Sequence, residues 1–98
     1  MKIAQDQRYE GNDWWSWSVW IEAPDGELQQ VEKVVWKLHP TFPNPTREIT
    51  TPGTKFRLET SGWGTFRVHA DVVQHNGMVR TLSHELELYY PDDTPASA

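Results

Sequence analysis

The sequence predicts an all-β protein, an immunoglobulin-like antiparallel β-sandwich of about seven or eight strands. Three observations lead to this prediction. Apolar and polar residues alternate through most of the chain, turn signals recur roughly every eight to twelve residues, and no convincing stretch has helical spacing. With 98 residues the chain is long enough to bury a core of its own. It contains no cysteine, so the two sheets must hold together by side-chain packing alone.

The first predicted strand has large apolar side chains at every second position, Trp15, Trp17, Val19 and Ile21. Ala23–Gly26 then predicts a turn. A second strand is predicted from Val31 to His39. Its residues Val34, Trp36 and Leu38 share one face.

The middle of the chain predicts shorter strands separated by proline and glycine. Arg47–Thr50 is one, and Thr51–Gly53 turns the chain after it. Alternation resumes at Phe56, Leu58 and Thr60, is broken by Gly62 and Gly64, and continues at Phe66, Val68, Ala70 and Val72. We expect the inner face to consist mainly of Trp17, Val19, Trp36, Phe66 and Val68.

The dipeptide Asn76-Gly77 is the strongest hairpin signal in the chain. It leads into a strand predicted over Met78–Tyr89, in which Leu82, His84, Leu86 and Leu88 share a face. Residues 91–98 carry no core residue, and we expect them to fray. The sequence therefore predicts one domain over residues 1–90 and a flexible tail over 91–98.

Composition restricts the class of function. The net charge is -5 and the pI about 5.2, so the molecule repels nucleic acid and favours basic partners. No apolar run is long enough to span a bilayer and the first residues do not begin a signal peptide, so we expect a cytoplasmic protein without a membrane partner. The sequence has no motif for a nucleophile or for phosphate binding, and it predicts neither an enzyme nor a cofactor.

Two short segments carry the functional signal, Leu38–Pro45 and Ser61–Phe66. Each leaves a strand and places an aromatic side chain, Phe42 or Trp63, beside backbone that proline or glycine turns. Two rings on two rigid loops predict a cleft for a flat, weakly polar group such as an amide. A planar group stacks well on ring faces, and hydrogen bonds to the backbone amides of the loops fix its orientation.

Together these segments resemble a YEATS domain. The family pattern is a valine-rich strand running into Leu-His-x-Ser/Thr-Phe/Tyr, then a proline and an arginine, then an aromatic residue between small residues before a phenylalanine. The first part of the pattern is matched by Leu38, His39, Thr41, Phe42, Pro45 and Arg47. The second is matched by Gly62, Trp63, Gly64 and Phe66, and the resemblance covers roughly residues 14–89. The compact length and the tryptophan-rich first strand resemble the prokaryotic branch.

The resemblance implies a reader of acylated lysine, such as acetyl-lysine or crotonyl-lysine, in an acylated protein or peptide. The amide of the modified side chain would lie between Phe42 and Trp63. Thr41 would offer its hydroxyl to that amide, and the backbone N–H of Trp63 would donate to the acyl oxygen. His39 would form part of the wall, and Gly62 and Gly64 would let the backbone approach closely.

The resemblance also implies two contacts that align less firmly. Family members contribute an aromatic residue from the loop before the first long strand, and here Trp14 or Trp15 would replace it. Some members place an acid at the position of Glu85, where it contacts the peptide.

The sequence is also compatible with other functions. The fold could serve as a protein interaction module without an acyl-lysine pocket. Exposed tryptophan on a sandwich could stack on sugars, although the absence of a secretion signal disfavours this. His69 and His84 could face each other on paired strands with Asp71 or Glu85 nearby and hold zinc, but neither strand has a zinc ligand pattern.

Overall fold

The computed structural model describes residues 1–96, which form two antiparallel sheets with the core between them. The elements in chain order are β1 Lys2–Gly11, β2 Trp14–Glu22, α1 Asp25–Leu28, β3 Val31–Lys37, β4 Thr46–Ile49, a 3₁₀ turn Pro52–Thr54, β5 Leu58–Gly62, β6 Arg67–Gln74 and β7 Val79–Glu85. One sheet has the order β1-β2-β5 and the other β4-β3-β6-β7. The predicted immunoglobulin-like sandwich is confirmed, with seven strands among the described residues. None of the helices within residues 1–96 has the length and apolarity needed to cross a membrane.

The core is built on the alternation seen in β2. Trp15, Trp17, Val19 and Ile21 are each 3% exposed or less, because every second side chain of a strand points to the same side. The opposing sheet contributes the other half of the core, Val34, Trp36, Val68, Ala70 and Val72. The predicted inner face is thus confirmed, except that Phe66 is half-buried and lies just before β6 begins.

Strand β1 was not predicted, and the reason lies in two inward-facing glutamines. Only Ile3 marks the buried face clearly, since Gln5 and Gln7 take the next inward positions. The Gln5 amide accepts from the Glu87 N–H at 2.8 Å and donates to the Glu87 carbonyl at 2.6 Å. Gln7 accepts from the Tyr89 N–H at 3.2 Å. Through these hydrogen bonds the two glutamines attach the segment after β7 to the first sheet. Because polar side chains take these inward positions, β1 lacks the apolar alternation by which a strand is recognised in a sequence.

Two local predictions differ in detail from the structure. The predicted turn at Ala23–Gly26 continues into the short helix α1, which places Leu28 in the core. Phe56 is buried but precedes β5, because it adopts a left-handed conformation with φ 58°. Its carbonyl accepts a hydrogen bond of 2.9 Å from the indole N–H of Trp36.

The predicted hairpin at Asn76-Gly77 joins β6 to β7, and Gly77 has the positive φ of 87° that favours glycine. β7 ends at Glu85 rather than Tyr89, because the next residues cross to β1. The flexible tail stays a prediction. As far as Ala96 the chain folds back on itself, with Ala96 packed against the core and its N–H bonded to the Leu88 carbonyl at 2.8 Å. Residues 97 and 98 lie outside the described part of the chain.

Candidate functional site

A cleft of about 530 Å³ opens at the end of the sandwich where β3 and β5 end and β6 begins. Its walls come from the loop after β3, here called the Phe42 loop (residues 38–45), and from the segment after β5, here called the Trp63 segment (residues 63–66). The lining residues are Trp14, His39, Thr41, Phe42, Pro43, Arg47, Thr60, Ser61, Gly62, Trp63, Gly64, Thr65 and Phe66. Two of them, His39 and Arg47, carry ionisable side chains, so the cleft is mostly aromatic and neutral.

The Phe42 loop is held by its own backbone and by one arginine. The Leu38 N–H donates to the Pro45 carbonyl at 2.7 Å, which closes the loop at its base. Arg47 reaches back from β4 and donates from Nε to the Asn44 carbonyl at 2.9 Å and from Nη2 to the Pro43 carbonyl at 3.0 Å. These loop carbonyl groups have no partner strand, and the Arg47 side chain supplies the hydrogen bonds that a strand would give them. The loop is therefore fixed before any ligand binds.

The Phe42 ring leans against the core. Its centroid lies 6.2 Å from the Trp17 ring at an interplanar angle of 85° and 5.3 Å from the Phe66 ring. Gly62 allows this approach, because a Cβ at that position would lie 3.3 Å from Phe42 Cζ. Gly62 is therefore needed for space, and its backbone φ is not in the left-handed region.

The opposite wall is exposed. Trp63 follows β5 directly and its side chain is 63% exposed. Trp14, at the start of β2, is 43% exposed and lines the same cleft. Large aromatic side chains left in water beside a cleft provide apolar surface that a ligand can cover.

His39 determines which atoms Thr41 offers to the cleft. The Thr41 backbone N–H donates to His39 Nδ1 at 3.3 Å, and a backbone N–H can only donate, so Nδ1 carries no proton. The Thr41 hydroxyl lies 2.9 Å from the same nitrogen and must therefore donate to it. The lone pairs of the Thr41 oxygen are left to accept a hydrogen bond from a ligand.

The structure brings seven of the eight predicted site residues to this cleft: Trp14, His39, Thr41, Phe42, Gly62, Trp63 and Gly64. Of the two tryptophans that the resemblance left open, Trp14 is the one that lines the cleft. Trp15 is fully buried, and its indole N–H donates to the Tyr89 carbonyl at 2.9 Å.

Glu85 does not line the cleft. It lies at the end of β7, where its carboxylate pairs with Arg67 at 2.7 Å on the outer face of the sheet. The family resemblance implies a ligand contact for Glu85, whereas in the structure its carboxylate forms an ion pair with Arg67 on the neighbouring strand β6.

Six lining residues were not among the predicted site residues, namely Pro43, Arg47, Thr60, Ser61, Thr65 and Phe66, and of these only Thr60 lies outside the two segments and the family pattern. The sequence predicts Phe66 on the inner face, and in the structure it lies at the boundary, with its ring centroid 5.7 Å from that of Trp17 and one side open to the cleft. Thr60 faces the same way as Gly62, two residues along β5, and this spacing was a usable signal.

The two histidines considered for zinc are not brought together. His69 is paired with Ser83, and His84 with Val68, so the two side chains fall on opposite faces of the sheet. His84 lies on the inner face with Nε2 2.7 Å from Gln5 Oε1, and burial lowers its pKa. Within residues 1–96 no cluster of three or more His, Asp or Glu side chains is arranged to hold a metal ion.

Comparison with known proteins agrees with the fold. A sequence model of the prokaryotic YEATS domain matches residues 15–87. The Protein AF-9 homolog of Saccharomyces cerevisiae is 36% identical over 87 residues, which cover 83% of this chain and 38% of that protein. Transcription initiation factor TFIID subunit 14 of Schizosaccharomyces pombe is 33% identical over 98 residues, which cover 92% of this chain and 39% of that protein. The chain thus spans about two fifths of the length of these relatives.

Solved structures show the same sandwich. The Yaf9 YEATS domain recognising an H3K122suc peptide matches with a TM-score of 0.69 at 27% identity, over 96% of this chain and 72% of that chain. The Yaf9 YEATS domain bound to H3K27ac matches with a TM-score of 0.71 at 26% identity, over 96% of this chain and 73% of that chain. Because the family match extends over most of the chain and includes both cleft loops, this protein belongs to the YEATS domain family.

Proposed function

We propose that this chain is a non-enzymatic binding module that takes an acylated lysine side chain into the cleft between the Phe42 loop and the Trp63 segment. The observation that supports it most is the pairing of a flat aromatic gap with an oriented hydrogen-bond acceptor, Thr41. The YEATS domains of similar structure that carry acylated histone peptides support the same class of ligand.

The aromatic gap suits the amide of an acylated lysine. Phe42 provides a ring fixed against the core, and Trp63 provides a ring with most of its surface in water. An amide between them covers apolar ring surface and keeps both of its polar atoms at the open edges, where they can be bonded. An unmodified lysine would bring an ammonium group with a large desolvation cost into the same space.

Polar groups at the two sides of the gap give the amide its orientation. The lone pairs of the Thr41 oxygen would accept the amide N–H, since the Thr41 hydroxyl proton is engaged by His39. The backbone N–H of Trp63 would donate to the acyl oxygen. Acetyl-lysine satisfies both contacts, and the planar crotonyl group adds stacking surface.

The partner is an acylated segment of a protein. The net charge of -5 would attract a lysine-rich segment and hasten encounter without determining which lysine is bound. We place the interaction in the class of weak peptide recognition, with dissociation constants from micromolar to sub-millimolar, about -5 to -8 kcal/mol.

A peptide array tests the proposal. Matched lysine peptides carrying no modification, acetyl or crotonyl groups are titrated with the purified chain, and each acylated peptide is expected to bind at least about tenfold more tightly than its unmodified counterpart. Met78→Ala, an exposed change at the β6–β7 hairpin, is the matched control and leaves binding unchanged.

Equal binding of acylated and unmodified peptides overturns the proposal. That result would instead support an interaction module that uses the same fold without an acyl-lysine pocket.

A further inference from the structure

The hairpin that joins β1 to β2 carries Trp14 into the cleft. Gly11 pairs with Trp14 in the sheet, so the turn between them consists of two residues, Asn12 and Asp13. Both have positive φ, 54° and 56°, as in a type I′ turn. Such a turn favours glycine at its second position, where this chain has aspartate. The turn therefore depends on contacts with the rest of the molecule more than an Asn-Gly turn would.

Two tyrosine hydroxyls hold Asp13. The Tyr90 hydroxyl donates to Asp13 Oδ1 at 2.7 Å, and the Tyr9 hydroxyl accepts from the Asp13 backbone N–H at 3.1 Å. The first is a short bond to a carboxylate, a class about twice as strong as bonds between neutral groups. The same bond raises the pKa of the Tyr90 hydroxyl above its ordinary value of 10, so Tyr90 remains a donor at neutral pH.

Tyr90 is itself fixed by aromatic packing and by its backbone. Its ring centroid lies 4.9 Å from that of Trp15 and 5.3 Å from that of Tyr9. Its backbone N–H donates to the Thr94 carbonyl at 2.9 Å, and its carbonyl accepts from the Asp93 N–H at 2.9 Å. The segment after β7 thus presents a hydroxyl to the hairpin from a defined position.

The place of Trp14 in the cleft depends on this hairpin. The Trp14 side chain is 43% exposed, whereas its neighbour Trp15 is fully buried. A side chain with so much surface in water is restrained little by packing, so its position follows the backbone that carries it. Asp13 immediately precedes Trp14, and the turn that Tyr90 holds is therefore the support of the Trp14 ring.

We infer that Tyr90 is a positioning residue of the cleft. Its hydrogen bond to Asp13 fixes the β1–β2 turn and so holds Trp14 where a ligand contacts it. This inference rests on the proposed function and extends it to a residue that does not line the cleft. A ring that is ordered before binding has less conformational entropy to lose when the ligand arrives, and this raises affinity.

Removing the hydroxyl tests the inference without removing the ring. Tyr90→Phe keeps the aromatic packing and loses the bond to Asp13. Tyr89→Phe is the matched control, because the Tyr89 hydroxyl bonds to Glu87 at 3.3 Å and neither residue lines the cleft. With an acetyl-lysine peptide, Tyr90→Phe is expected to bind about threefold to fivefold more weakly than the wild type, and Tyr89→Phe is expected to bind equally well.

A double-mutant cycle separates the positioning of Trp14 from a general structural role. In the Trp14→Ala background, Tyr90→Phe is expected to leave the affinity for the acetyl-lysine peptide unchanged, since no ring remains to be positioned. An equal loss of affinity in both backgrounds would assign the Tyr90 hydroxyl to the fold alone and overturn the inference.

A spectroscopic readout follows Trp14 before any ligand is added. Its indole cross-peak in the ¹⁵N–¹H spectrum is expected to move or broaden in Tyr90→Phe and to keep its position in Tyr89→Phe, because only the first variant releases the turn. An unmoved Trp14 cross-peak or wild-type affinity in Tyr90→Phe overturns this inference and leaves the proposed function standing. Failure of every acylated peptide to bind the wild type overturns the proposed function and this inference together.

Discussion

The two walls of the cleft are built in opposite ways. Phe42 is half-buried against Trp17 and Phe66, and its loop is tied down by Arg47, whereas Trp63 is 63% exposed. One wall packs against the folded core, and the other is exposed to solvent and, under the proposed function, is covered by the ligand. The difference predicts that changes in the Phe42 wall act on stability and binding together, whereas changes in the Trp63 wall act on binding alone.

Phe42→Ala is expected to have the largest effect. It removes one wall and exposes Trp17 and Phe66, so acyl-lysine binding falls by more than about tenfold and the free energy of unfolding by about 1 to 2 kcal/mol. Peptide titration and denaturant unfolding measure the two quantities. A variant of unchanged stability would break the assignment of Phe42 to the core.

Trp63→Ala is expected to weaken binding by about tenfold, or about 1.4 kcal/mol, because the stacking surface of the exposed wall is lost. Its free energy of unfolding changes by about 0.5 kcal/mol or less, since the ring contributes little buried surface before the ligand arrives. The same two measurements, compared with those of Phe42→Ala, decide whether the walls differ as described. A drop in stability of similar size in both variants would contradict it.

Arg47→Ala sharpens the comparison by loosening the Phe42 loop without removing a ring. Two hydrogen bonds to the Pro43 and Asn44 carbonyls are lost, and we expect a fall in affinity of about threefold to fivefold, because the loop must then be ordered during binding. Arg80→Ala, an exposed change on β7 with the same loss of charge, is the control for net charge. Equal affinities for the two variants would show that the Arg47 hydrogen bonds do not contribute to binding by ordering the Phe42 loop.

Gly62→Ala tests the close approach of Phe42. The added Cβ would lie 3.3 Å from Phe42 Cζ, so the ring must shift by a few tenths of an ångström, and we expect affinity to change by about twofold to threefold. Gly53→Ala introduces the same methyl group where no atom lies within 4 Å and serves as the control. Titration with one acetylated peptide measures both variants, and a neutral result for Gly62→Ala would mean that Phe42 is less closely held than its contacts suggest.

Acid is expected to destabilise the fold through His84 while leaving both walls intact. Burial lowers the folded-state pKa of His84 below its ordinary value of 6.5, so between the two values the unfolded state binds more protons. The stability that His84 contributes is fully present above about pH 6.5 and is lost as the pH falls toward the folded-state pKa. Denaturant unfolding of the wild type and of His84→Gln across this range measures it, and identical pH profiles would exclude His84 as the cause. We expect this pH effect on stability to be the smallest of the five. Its measurement shows whether a loss of peptide binding at acid pH is caused by unfolding of the protein.

The sequence by itself determined six of the seven described strands and the two loops of the cleft. Alternation identified β2, β3, β6 and β7, because a strand with one buried face must repeat its apolar residues every second position. The two loop motifs gave six of the predicted site residues that the structure brings to the cleft, and the family resemblance gave the seventh, Trp14. Strand β1 escaped this reasoning, since its inward Gln5 and Gln7 bond to distant backbone and carry no apolar signal.

Only the tertiary structure decided what each side chain meets. Trp14 and Trp15 are adjacent and chemically identical, yet one lines the cleft and the other bonds to Tyr89 in the core, because adjacent residues of a strand point to opposite sides. Glu85 is paired with Arg67, and the Trp17 N–H is left without an acceptor, through contacts between residues far apart in the chain. Periodicity predicts which face a residue takes, and the packing of the two sheets determines which partner it finds there.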